Sequence, residues 1–276
     1  MKKFKIGKPR LIFLLLIILL FIIFLLYSYF IFSKIISKNE FLNQILVVSD
    51  ENEEPIFTVQ KIIHYAGAGV ISDTPDKPLE NISIHQFSDL SIKIDNLGTI
   101  TDLTPENTVK SLYIDNIKTE SAIKTHSFNY KNYLNFGKFE MFENFTDNKL
   151  DFNIINTNSE NENADYSKPT FFTDCSNPIT LGFLNKNVLT NYSVSKDSST
   201  VTYNGKILKE ANIALDNLYT TISFRINLTN KKDEKFIYNM KIDLPLDESE
   251  NGIYSGYQLK SKNTSGDEYR FFKQAY

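Results

Sequence analysis

The chain has 276 residues and a net charge of -3, with its 30 basic side chains scattered among 33 acidic ones, so it lacks the concentrated Lys/Arg surface that nucleic acid demands. One cysteine rules out an intrachain disulfide framework. A hydrophobic content of 42% and an aromatic content of 13% fit a folded body, either one large domain or two small ones.

The first element is apolar. Leu11 to Phe32 reads LIFLLLIILLFIIFLLYSYFIF, uncharged throughout, with Ser28 and two tyrosines as its polar interruptions. As a helix rising ~1.5 Å per residue, such a run spans the ~30 Å hydrocarbon core of a bilayer. Lys2, Lys3, Lys5, Lys8 and Arg10 precede it, and Lys34, Lys38 and Glu40 follow. The heavier basic flank places the N-terminus inside and the rest outside. Tyr27 and Tyr29 fall at the outer headgroup level. No A-x-A-like cleavage triplet follows in FSKIISKNE, and no cysteine stands there for lipidation. The run therefore reads as an uncleaved signal anchor, residues 11–32, behind a cytoplasmic basic tail, residues 1–10. Heavy use of Lys, Asn and Ile points to a bacterial cell envelope. The N-x-S/T triplets at Asn81, Asn144, Asn191, Asn227 and Asn263 carry little weight in so Asn-rich a chain.

Residues 33–54 read as a stalk and hinge. Ile35, Leu42, Ile45 and Leu46 share a helical face, and the acidic run Asp50 to Glu54 ends at Pro55. A β-rich domain, or the first half of one, is expected over 55–145. Phe57–Tyr65, Ile82–Phe87, Leu90–Asp95 and Ser111–Ile117 are its strands, and one helical turn begins at Thr104. Gly67-Ala-Gly69 reads as a flexible loop, because the third glycine and the helix of a nucleotide-binding turn are missing. Residues 146–168 are poor in apolar side chains and read as a polar loop or linker. They lack the alternating spacing of a calcium loop.

The second half, 169–276, carries the clearest sheet pattern. Val201–Leu208 holds Asn204-Gly205 as a hairpin turn, and Leu208–Leu218 reads as a short helix. Thr221–Asn230 and Lys235–Leu244 alternate apolar with polar residues across a KKDE turn. Asn251-Gly252 marks another turn, and Tyr269–Lys273 a last strand. The fold class expected is mainly β: a transmembrane helix plus an extracytoplasmic β-sandwich, immunoglobulin-like or jelly-roll-like.

Chemistry is sparse. His64, His85 and His126 stand in no metal-ligand spacing, so no metal or cofactor is expected. Ser121-x-x-Lys124 with Ser159-x-Asn161 matches part of a penicillin-binding pattern, but no K-T-G follows and no catalytic role is assigned. Cys175 reads as a buried apolar residue. Tyr254, Tyr257, Tyr269, Phe271 and Tyr276 form a candidate interaction surface, with core filling as the competing explanation. The function expected is non-enzymatic: a membrane-anchored ectodomain that binds or scaffolds an envelope protein or glycan. The alternatives are a subunit of a multi-protein membrane complex and, behind it, a hydrolase using paired carboxylates.

Overall fold

The computed structural model describes residues 17–29, 31, 55–72, 80–97, 105–143, 148–156, 168–194, 205–244, 252–255, 258–263 and 269–274. Helix α1 covers residues 17–29. Residues 49–274 form a separate compact unit. Its large side chains are apolar and lie between 46% and 76% exposed. At ~20 Å it is shorter than the hydrocarbon core, and among the described residues no helix is long and apolar enough to cross a membrane. Residues 11–16, 30 and 32 of the expected anchor and all of the expected stalk and hinge, 33–54, lie outside the described residues.

The compact unit is mainly β. Its strands are β1 (Phe57–Ser72), β2 (Ile82–Asn96), β3 (Val109–Ser121), β4 (His126–Tyr130), β5 (Leu150–Ile155), β6 (Thr170–Phe172), β7 (Ile179–Tyr192), β8 (Thr220–Asn230), β9 (Lys235–Leu244), β10 (Gln258–Asn263) and β11 (Phe272–Lys273). A five-stranded sheet runs β10-β1-β2-β7-β4, and a six-stranded sheet runs β11-β9-β8-β3-β5-β6. All pairs are antiparallel except β5 with β6. Strands from 55–145 and from 169–276 are neighbours in both sheets: β7 lies between β2 and β4, and β8 between β9 and β3.

The inner faces meet over one core. Ile62, Leu90, Ile92, Phe128, Leu181 and Phe183 come from the first sheet; Leu112, Ile114, Ile222, Phe224, Ile226 and Tyr238 come from the second. Phe128 and Phe224 bring their rings to 6.0 Å across the interface. The alternation of β8 and β9 produces this directly, since Ile222, Phe224, Ile226 and Leu228 are buried on the same face.

The long strands of the first sheet continue past this core. There Ala66, Ala68, Ile82 and Ile84 are covered by helix α2 (Gly205–Glu210), the segment after it and two short 3-10 turns, through Ile207, Leu208, Ile213, Leu218 and Ile253. On the same face as both cores, a polar chain joins the strands: Ser121 Oγ donates to Asn185 Oδ1 at 2.9 Å, Asn185 Nδ2 to Gln86 Oε1 at 2.7 Å, and Gln86 Nε2 to Ser88 Oγ at 2.9 Å.

Four expectations change. Gly67 and Gly69 lie inside β1 and do not form a loop; at Gly69 the bare backbone admits the Phe139 ring. Ser88 and Asp89 do not interrupt β2; both are buried, Ser88 Oγ accepting from Gln86 of the same strand and Asp89 Oδ2 from Lys131 and the Gly137 N–H. Gly205 opens α2 in place of a hairpin turn, because Ile207 and Leu208 both pack into the second core. The expected polar stretch 146–168 contains β5, whose Leu150, Phe152 and Ile155 are buried.

Candidate functional site

A cluster of buried polar groups lies on the outer face of the first sheet. Cross-strand register places Tyr65 of β1 beside Asp89 of β2, and Gly182 of β7 on its other side. Lys131 follows β4, its N–H donating to the Thr180 carbonyl at 3.0 Å. Its side chain crosses β7 over Gly182, where a Cβ would sit 3.4 Å from Lys131 Cδ and 3.0 Å from the Phe142 ring. The ammonium ends 2.7 Å from Asp89 Oδ2, and both side chains are 1% exposed. It also donates to the Lys138 carbonyl and lies 5.3 Å from the centre of the Phe87 ring.

Residues 132–143 form a strap over this pair. Asn132 caps a 3-10 turn, its Oδ1 accepting from Leu134 N–H at 2.9 Å. The Gly137 N–H donates to Asp89 Oδ2 at 2.7 Å. Phe136 packs against Tyr65, and Phe139 packs against His85 and Phe87. The strap returns along β4, its Phe142 and Glu143 carbonyls accepting from Ser127 Oγ at 3.1 Å and Asn129 Nδ2 at 2.6 Å.

Burial pushes the Asp89 carboxyl up to about 6, although Lys131 and the Gly137 N–H pull it the other way; the charge of Glu140 adds to the rise. Asp89 Oδ1 has no hydrogen-bond partner, and neither does the buried Thr180 hydroxyl. His85 accepts from the Asn187 N–H on Nδ1 at 3.1 Å, which puts its proton on the unpartnered Nε2. Burial first, then Lys186, holds its pKa below the ordinary value.

No protein-family model, curated protein or solved structure matches this chain.

Of the residues singled out from sequence, His85 borders the strap through Phe139, and the other described ones lie elsewhere. Phe271 is 3% exposed in the main core, its ring 5.5 Å from that of Tyr238. Tyr269 packs against the same core. Tyr254 packs against the second core and donates its hydroxyl to the Ile213 carbonyl. Tyr257 and Tyr276 lie outside the described residues. The described members thus fill cores and do not share one exposed surface. Ser121 ends β3 and bonds Asn185, Lys124 is exposed on a bend, and Ser159 and Asn161 lie outside the described residues. Cys175 is buried, and burial pushes its thiol well above the usual range.

His64 is fully buried with neither ring nitrogen partnered. His126 lies between Thr119 Oγ1 at 2.9 Å and the Ile123 carbonyl at 2.7 Å. Among the described residues no group of three or more His, Cys, Asp or Glu side chains is placed to hold a metal ion. An open depression of ≈ 390 Å³ at the end of β8 and β9 is lined by Tyr219, Thr220, Thr221, Asp243 and Leu244. It holds one carboxylate, and that one accepts from Thr221 Oγ1 at 2.5 Å.

Sequence reasoning missed Asp89 and Lys131. The available signal was Phe136-x-x-Phe139-x-x-Phe142, three aromatics in a stretch with no strand alternation. Such residues need something to cover.

Proposed function

We propose that this chain is a single-pass membrane-anchored cell-envelope protein whose β-sandwich body works outside the cytoplasm as a binding or scaffolding module. One observation carries the reading: an uncharged run from Leu11 to Phe32, whose described helical part presents exposed apolar side chains around its circumference. A helix apolar all round finds its favourable surroundings in lipid or in another protein, not in water. The basic flank before the run supports an inside N-terminus. The partner is an envelope protein or a glycan; the polar outer face of the second sheet, where Tyr113, Asp115 and Arg225 are half-buried, supports a polar contact.

Assembly into a membrane complex is the second reading, favoured by the stripe Ile35, Leu42, Ile45 and Leu46 beyond the run. Membrane fractionation tests the anchor. Replacing Leu19 and Phe24 by Arg introduces a cost of ~2.5–3.5 kcal/mol per side chain at the centre of a span. The variant is expected in the soluble fraction; an unchanged membrane fraction under alkaline wash would remove the anchor from the proposal. Crosslinking in native membranes then separates the readings. Partners captured by the soluble body support the module, whereas partners lost when the stalk stripe is made polar support the complex.

A further inference from the structure

We propose that Asp89 and Lys131 form an intramolecular crosslink: an amide between Lys131 Nζ and the Asp89 carboxyl carbon, made with release of water. The two groups approach to 2.7 Å, both at 1% exposure, beneath an aromatic strap. Fixed juxtaposition of this kind replaces an encounter between two molecules by one within a single fold, with effective concentrations far beyond any reached in solution.

The hydrogen-bond inventory points to the product. In the ion pair, Asp89 Oδ2 receives both Lys131 Nζ and the Gly137 N–H, while Oδ1 receives nothing. A buried carboxylate with one bare oxygen is a costly arrangement. In the amide the account closes. Oδ2 stays as the carbonyl oxygen on the Gly137 N–H, the single remaining N–H donates to the Lys138 carbonyl, and Oδ1 is the atom that leaves.

The step balances without an oxidant or co-reactant. A proton passes from the ammonium to the carboxylate, giving an amine and a carboxylic acid, the neutral forms that burial favours. The nitrogen lone pair adds to the carboxyl carbon, and the Gly137 N–H stabilises the charge gathering on Oδ2. The bond from carbon to Oδ1 then breaks, and Oδ1 departs with its own proton and one from nitrogen as water. The raised pKa of Asp89 is consistent with a proton-holding carboxyl. The groups facing the pair are Tyr65 from β1, Gly182 and Thr180 from β7, and Lys138 and Glu140 from the strap.

Such a bond would tie β2 to the end of β4 across β7, closing a loop between positions 42 apart in sequence. It would give a chain with one cysteine a covalent staple of another kind.

The experiment is mass spectrometry of the full-length chain. The expected result is an intact mass lower than the sequence mass by one water, and a branched proteolytic peptide joining the segments that contain Asp89 and Lys131. Lys131→Arg keeps the positive charge and is expected to restore the full mass and abolish the branch. The peptide map of the unsubstituted chain decides the matter even if that variant does not fold. Full sequence mass in folded protein overturns the proposal; so does loss of water without a branched peptide, the mark of a succinimide.

Discussion

Replacing Gly69 by alanine should drive Phe139 off the sheet. A Cβ built at Gly69 lies 2.2 Å from Phe139 Cγ and 2.4 Å from both Cδ atoms. Carbon atoms pack at ~3.5–4.0 Å, so the ring must retreat by roughly 1.5 Å. Overpacking of this kind costs about 1–3 kcal/mol. The retreat also loosens the Phe139 ring from Phe87 at 5.9 Å and from His85 at 5.6 Å. Aromatic pairs of this kind contribute about 0.5–1.5 kcal/mol each. Against these, alanine in a strand gains about 0.5–1 kcal/mol over glycine. The net expectation is a loss of about 2 kcal/mol. In a Phe139→Ala background the obstruction is gone, and Gly69→Ala should be neutral or slightly stabilising. Urea titrations of the four proteins give the coupling directly. A value near 2 kcal/mol far exceeds the ~0.3–0.5 kcal/mol scatter of independent sites. Equal costs in both backgrounds would refute the notch as the reason for glycine at this position.

Two further substitutions test the electrostatics. His64 is fully buried without partners, and burial lowers its pKa from 6.5 to about 4. The unfolded chain therefore takes up the proton first: stability is full above pH 6.5 and falls as the pH drops towards 4, by ~3 kcal/mol in total. His64→Leu should flatten that part of the stability-against-pH curve, and an unchanged slope would rule His64 out as its source. Burial alone would raise the Asp115 carboxyl, but hydrogen bonds from the Arg225 guanidinium at 2.7 and 2.8 Å and from Asn227 at 2.8 Å outweigh it and hold the pKa below the usual range. Arg225→Met should move the Asp115 carboxyl resonance titration upward in NMR, and no movement would show that the pair is not formed in solution.

The sandwich was legible where side-chain alternation is clean. Thr221–Asn230 and Lys235–Leu244 emerge as paired strands β8 and β9 almost residue for residue, since each buries one face. Elsewhere tertiary context overrode local signals. Ser88-Asp89 resembles a turn only while the Lys131 partner is unknown, and Gly67–Gly69 resembles a loop only while the ring above it is unknown. Short pieces such as β6 and β11 exist because longer neighbours offer them an edge, which no local pattern records. The site was illegible for the same reason: Asp89 and Lys131 meet through register and through the bare backbone of Gly182 between them. The C-terminal aromatics were visible as a cluster, but periodicity in so short a segment does not tell a core-filling Phe271 from an exposed one.

The strand order also bears on how the chain reaches its fold. β1 pairs with β2 on one side and with β10 on the other, so that Lys61 faces both Lys93 and Asn263. One border of the first strand forms locally; the other waits for nearly the whole sequence to be present. Closing so distant a pairing carries a large entropic cost before any contact repays it, which makes assembly slow and leaves an unpaired strand border open to other chains meanwhile. A chain shortened by its last twenty residues would lose β10 and β11 together, and would carry that open border permanently.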